Sequence, residues 1–192
     1  MKRLVAVAVS VGLMFGLSAC TTDPLADQFR SGTNKNYISG DGSVTEFNGQ
    51  KAVGEKWTSI TFDGQLINSE SLLGHVTVLN FWYAGCAPCR AETPDLAKIA
   101  STYEAKGVYV VGVNVRDTAA TAQAFARTHK LNYPSVMDIE TGSVVQAYTG
   151  VVSPSAVPTT LVINAKGEVT SRVLGRFEPG TLKSLIDTAL KG

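Results

Sequence analysis

The sequence predicts an α/β domain whose mixed central sheet is covered by helices on both faces. Three observations carry this. Short β-branched and aromatic runs alternate with segments in which apolar residues recur at helical spacing. The last two strand-like runs are separated by only a four-residue turn, which makes them antiparallel neighbours. A single amphipathic helix then closes the chain. Strands alternating with helices build a layered sheet, and the late hairpin makes that sheet mixed.

Taken in order, the domain is expected to span residues 55–192. Trp57–Phe62 and Gln65–Asn68 flank Asp63-Gly64, a dipeptide suited to a tight turn, so an N-terminal β-hairpin extension is expected. Val76–Phe81 is short, β-branched and aromatic, as a central strand requires. Leu96, Ile99, Ala100 and Tyr103 define one face of a helix over residues 89–105. Val108–Val115 is the strongest strand. Asp117 is placed to cap a helix running to about Lys130, with Ala122, Phe125 and Ala126 inward. Pro134–Met137 reads as a short strand and Ser143–Tyr148 as a short helix. Thr159–Ile163 and Val169–Leu174 flank the turn Asn164-Ala165-Lys166-Gly167. Pro179 lies in the first turn of the final helix, which carries Leu182, Leu185, Ile186 and Ala189 on one face.

The chain has 192 residues, more than this domain needs. Lys2 and Arg3 precede an apolar stretch, Leu4–Gly16, that is too short to span a bilayer and leads into Leu17-Ser18-Ala19-Cys20. That ending resembles a bacterial lipoprotein signal. Residues 1–19 are therefore expected to be removed and Cys20 to carry the lipid. Residues 20–54 are rich in Gly, Ser, Thr, Asn and Asp without a sustained period, and are expected to form a flexible tether. The expected location is extracytoplasmic, anchored to the cell membrane through Cys20. The formal charge of +1 gives no sign of the clustered basic surface of a nucleic-acid binder, and no nucleic-acid partner is expected. A monomer is expected.

Of three cysteines, one is assigned to the lipid, leaving Cys86 and Cys89 spaced C-x-x-C. A loop this small constrains an unfolded chain poorly, so a purely structural staple is the weaker reading. A structural zinc site wants four Cys or His ligands, and only His75 and His129 accompany the pair, so no metal is expected. The motif falls between a strand and a helix. Free N–H groups and the dipole at a helix N-terminus stabilise a thiolate, and Arg90 adds positive charge. Two intervening residues let the second sulfur attack a mixed disulfide on the first. No cofactor is implied. A non-enzymatic binding lipoprotein with an inert disulfide remains the reading from another class.

Asn80-Phe81-Trp82, Cys86-Ala87-Pro88-Cys89-Arg90-x-Glu92-x-Pro94, Val110–Val115 and Val157-Pro158-Thr159-Thr160 together resemble the thioredoxin superfamily. The resemblance is to its TlpA/ResA-type extracytoplasmic thiol–disulfide oxidoreductases, over about residues 55–190. It implies a thioredoxin-like fold with Cys86 as the exposed nucleophile, Cys89 as the resolving thiol and Glu92 as the acid that moves protons at the sulfurs. It implies that Pro158 is the cis proline facing the motif, leaving the Val157 backbone to pair with an extended substrate. Pro94 matches a proline that kinks the active-site helix. Ordinary thioredoxins use an aspartate at the position of Asn80, and Asn cannot titrate.

Val157, Pro158 and Trp82 are the candidate substrate contacts, although large strand aromatics such as Trp57, Phe81 and Trp82 ordinarily fill cores. The family usually has Trp immediately before the first cysteine, where this chain has Gly85. The segment Gly150–Val157 is longer than in relatives, and Val151, Val152, Pro154 and Val157 make it apolar, either as one wall of a peptide site or as cover for the core. Arg116 and Asp117 follow the main strand and have two readings, as residues near the site or, more simply, as a solvated turn pair. The resemblance implies reduction of disulfides in exported proteins, apocytochrome c foremost, with electrons from a membrane donor of the CcdA/DsbD kind. The alternative direction is oxidative folding, as by Dsb-type oxidases.

Overall fold

The structure is a computed structural model that describes residues 41–47, 52–153 and 156–192. The expected signal at 1–19, the lipid-bearing Cys20 and Pro154 lie outside the described residues. Six strands follow one path across the main sheet, in the order β1 (Asp41–Glu46), β9 (Glu168–Gly175), β8 (Thr159–Ile163), β5 (Thr77–Trp82), β6 (Tyr109–Asn114), β7 (Ser135–Met137). β2 (Ala52–Val53) also pairs with β9. β5, β6 and β7 are parallel, whereas β8, β9 and β1 add antiparallel neighbours, so the sheet is mixed as expected.

β3 (Thr58–Ile60) and β4 (Leu66–Asn68) form the expected hairpin as a separate two-stranded sheet. Gly64 takes φ 87° in its turn, a conformation that needs glycine. Asp41–Glu46 and Ala52–Val53, assigned to the tether, lie antiparallel along β9. Ordered chain therefore begins before Glu55. An edge strand needs little apolar character, because its partner's backbone supplies most of the attraction.

Helices cover both faces. α1 (Ala87–Glu104) and α4 (Pro179–Ala189) pack on one side, where Leu96, Ile99, Tyr103, Leu182 and Ile186 meet Val78, Val110, Val162 and Val173. On the other side lie α2 (Ala119–His129) and α3 (Ser143–Ala147). There Phe125 and Val144 meet Leu79, Phe81, Val111, Val113 and Leu161. Every residue of β5 is buried, which explains its unbroken apolar run. Thr118, not Asp117, caps α2: its hydroxyl accepts the Thr121 N–H. Among the described residues no helix is long and apolar enough to cross a membrane.

Candidate active site

β5 and β6 run parallel and end at the same pole of the sheet, with Trp82 level with Asn114. In open α/β sheets, sites form beyond the carboxyl ends of such strands. From β5 the chain passes through Tyr83, Ala84 and Gly85 to Cys86, which is the N-cap of α1. Its sulfur accepts the Cys89 N–H at 3.2 Å, and the two cysteines are joined as a disulfide. Pro88 sits in the first turn, where its missing N–H costs nothing. Pro94 lies inside the helix, and its missing N–H leaves the Arg90 carbonyl without its usual partner.

Cys86 is 0% and Cys89 1% exposed, so the expectation that Cys86 is the more accessible sulfur is not met in the oxidised form. The reason is local. As an N-cap, the Cys86 side chain folds back over the helix end, and both cysteines belong to the apolar cluster that holds Tyr83, Val152 and Val157. What separates the two sulfurs is the cap position, where Cys86 alone faces the free N–H groups.

Glu92 is 1% exposed on the buried face of α1. Its Oε1 accepts the Asn80 amide at 2.8 Å and its Oε2 accepts the Phe177 N–H at 3.3 Å. Asn80 also donates to the Thr160 hydroxyl at 3.1 Å, linking β5 to β8. Burial pushes the Glu92 carboxyl up to about 8, against the opposing pull of those two hydrogen bonds and of the Arg176 charge. Tyr133 is pushed further up by its own burial and by the Glu92 charge.

The Val157–Pro158 bond is cis, as the resemblance implied, and it immediately precedes β8. Phe81 pairs with Thr159, so Pro158 lies level with Trp82 at the strand end from which the cysteine loop departs. Val157 as a whole is 1% exposed, its backbone included, so the residue is closed to solvent in the oxidised form. The described part of the Gly150–Val157 segment covers the core: Val152 is buried, and the Arg172 guanidinium holds the Val151 carbonyl at 2.9 Å.

Trp82 is not a wall of the site. It is 3% exposed, its indole packs on Phe125 with ring centroids 4.6 Å apart, and its N–H donates to the buried Ser135 hydroxyl at 2.9 Å. Full burial of β5 forces this inward position. The turn pair takes the first of its two readings and lies against the cysteine loop. The Asp117 carboxylate accepts the Ala84 N–H at 2.6 Å, and the Arg116 guanidinium lies 4.4 Å above the Tyr83 ring. His75 and His129 make local contacts, the first tilted against the Tyr109 ring and the second stacked on Phe125.

Among curated proteins, the chain is similar to the thiol-disulfide oxidoreductase ResA of Bacillus subtilis, at 35% identity over 113 residues. ResA of Halalkalibacterium halodurans is 35% identical over 107 residues. These matches cover 59% and 56% of this chain but only 60% and 58% of the relatives' own lengths. Among solved structures, a thioredoxin-family thiol:disulfide interchange protein from Chlorobium tepidum superposes with TM-score 0.66 at 26% identity. That match covers 73% of this chain and 97% of the other. A DsbF homologue from Corynebacterium diphtheriae gives 0.68 at 26% identity, covering 79% and 98%. The fold is thus thioredoxin-like, and the family model described as AhpC/TSA matches residues 45–172, two thirds of the sequence: the chain belongs to the AhpC/TSA family.

Proposed function

We propose that this protein is an extracytoplasmic thiol–disulfide oxidoreductase that reduces disulfides in exported proteins. The observation that carries the reading is the Cys86–Cys89 disulfide set as the N-cap of α1, with a buried acid one helical turn beyond it. In the reduced protein the Cys86 thiolate attacks one sulfur of a substrate disulfide. One S–S bond breaks, a mixed disulfide forms, and the departing substrate thiolate takes up a proton. The Cys89 thiolate then attacks the Cys86 sulfur and releases the second substrate thiol, so two electrons pass to the substrate. A carboxyl titrating near 8 is suited to exchanging protons with thiols at neutral pH, and Glu92 is assigned that role.

An extended substrate segment is proposed to lie along the Val157–Pro158 backbone, beside the disulfide. Lipid on Cys20 would hold the domain at the membrane, where a donor of the CcdA/DsbD kind would return electrons. Apocytochrome c is the proposed natural substrate, because its haem-binding C-x-x-C-H pair must be dithiol before haem attaches. A peroxidase reading lacks its residues: Leu79 and Tyr83 stand where a Pro-x-x-x-Thr-x-x-Cys signature would place Pro and Thr.

The test is reduction of an oxidised C-x-x-C-H peptide by the pre-reduced protein, followed by thiol release. Stoichiometric reduction, abolished in Cys86→Ser, supports the assignment. A reduction potential below about −300 mV, with no exchange, would identify a structural disulfide instead.

A further inference from the structure

The Ala84 peptide, two residues before Cys86, is held at both ends by side chains from different elements. Its N–H donates to Asp117 Oδ2 at 2.6 Å, and its carbonyl accepts Arg90 Nη1 at 3.1 Å. Asp117 is itself fixed. The same oxygen accepts the Asn114 amide at 2.8 Å, and the Asp117 backbone N–H donates back to Asn114 Oδ1 at 2.8 Å. The Arg116 N–H adds a third bond to Asn114, to the same Oδ1, at 3.1 Å, and Asn114 is 0% exposed. The turn after β6 is therefore rigid, and it grips the loop after β5.

Gly85 lies between the gripped peptide and Cys86, and it is exposed. A glycine here leaves the backbone many conformations in which the Cys86 sulfur would swing off the helix end. A Cβ at this position would come 3.0 Å from the Tyr83 ring, so that ring stands where a larger side chain at 85 would need room. The loop must then be ordered from outside, and a charge-assisted hydrogen bond from the Ala84 N–H to the Asp117 carboxylate does this.

We infer that Asp117 is a positioning residue for the nucleophilic thiol: its carboxylate holds the Ala84 peptide so that the Cys86 sulfur stays on the N-terminal N–H groups of α1. The inference rests on the thiol–disulfide reading. It concerns the hydrogen bond rather than the charge, since a carboxylate beside a thiolate would by itself disfavour ionisation. The other charged groups of the loop, Arg90 on α1 and Arg116 before α2, are unaltered by the substitutions that test it.

The experiment follows the pH dependence of Cys86 alkylation in the reduced protein, resolved by peptide mass, in wild type, Asp117→Ala and Asp117→Asn. Asp117 is half-buried in a turn outside any helix, and melting temperatures are recorded beside the titration. Asp117→Ala is expected to raise the Cys86 midpoint by about one unit, a roughly tenfold loss of thiolate below it. Asp117→Asn, whose side-chain oxygen can accept the same two N–H groups, is expected to restore the thiolate to within about threefold. Equal upward shifts in Ala and Asn would show that the acceptor oxygen does not position the thiol and would overturn the inference. A lowered midpoint in both, the sign that loss of a negative charge gives, would make Asp117 a charge effect and overturn it too. A lowered melting temperature with an unmoved midpoint would make it merely structural, and would also overturn it. The titration needs no substrate, so failure of the proposed reductase activity would be read separately.

Discussion

Asn80 on β5 donates its amide to Glu92 on α1 at 2.8 Å, with both side chains almost sealed from solvent at 3% and 1% exposed. This pairing gives the interior a neutral amide where ordinary thioredoxins carry an acid, and leaves Glu92 as the titrating group between sheet and helix. The amide and the Phe177 N–H offset part of the desolvation, but burial still dominates and holds the carboxyl at about 8.

That pKa makes Glu92 a source of pH-dependent instability. Below about 4.5 the carboxyl is protonated in both folded and unfolded chains and contributes nothing. Between about 4.5 and about 8 only the unfolded chain ionises, so the fold loses stability steadily as pH rises; above 8 the loss levels off. Glu92→Gln removes this slope. The melting temperature of the variant relative to wild type is expected to rise between pH 5 and pH 8 by more than about 5 °C. The same substitution should slow disulfide exchange and flatten its pH–rate profile near 8. A constant difference in melting temperature across the range would contradict the raised pKa.

Cys89→Ser should accumulate mixed disulfides through Cys86, because the resolving thiol is gone, while Cys86→Ser should trap nothing. Diagonal gels after acid quenching read this directly. Since both cysteines are buried when oxidised, exposure does not choose between them, and trapping through Cys89 would reverse the roles assigned from the cap.

Gly112 is expected to tolerate no side chain. Its added Cβ would lie 2.6 Å from the Ser135 hydroxyl and 2.9 Å from the Trp82 indole nitrogen, the two atoms that hydrogen-bond across β6. Gly112→Ala should cost about 1–3 kcal/mol in denaturant unfolding, with a changed Trp fluorescence. A loss below about 0.5 kcal/mol would show that the indole moves freely and that Trp82 is not a fixed core residue.

Cys20→Ala should move the protein from the membrane fraction to the soluble one with its thiol chemistry intact. Fractionation and mass analysis of the N-terminal peptide check this, and continued membrane retention would remove the lipid assignment.

Much of the domain was legible because its strongest signals are local. β5 and β6 are continuous apolar runs, α1 and α4 carry clear helical faces, and Asp63-Gly64 marks its hairpin. The C-x-x-C and Glu92 fall within seven residues of one another, so spacing alone placed them on one helix end. The sequence marked Asp117 as a helix cap or turn residue but not its contact, because its partner, Ala84, is 33 positions away and offers only a backbone N–H, which has no sequence signature. Exposure of Cys86 was misjudged for a similar reason: what buries a cap residue is tertiary. Trp82 was assigned two incompatible roles, and the burial of β5 on both faces decided for the core. β1 was missed since a polar edge strand looks like linker until its partner is known.

That last strand sets how far the domain can travel. With lipid on Cys20, as proposed, a leash ending at Gly54 would allow the domain about 120 Å of fully extended reach. Pairing of Asp41–Glu46 with β9 fixes the chain much sooner and cuts the maximum to about 70 Å. A domain anchored in that way would be confined to clients and electron donors within a shallow layer over the bilayer, and lengthening the segment before Asp41 would widen that layer without touching the active site.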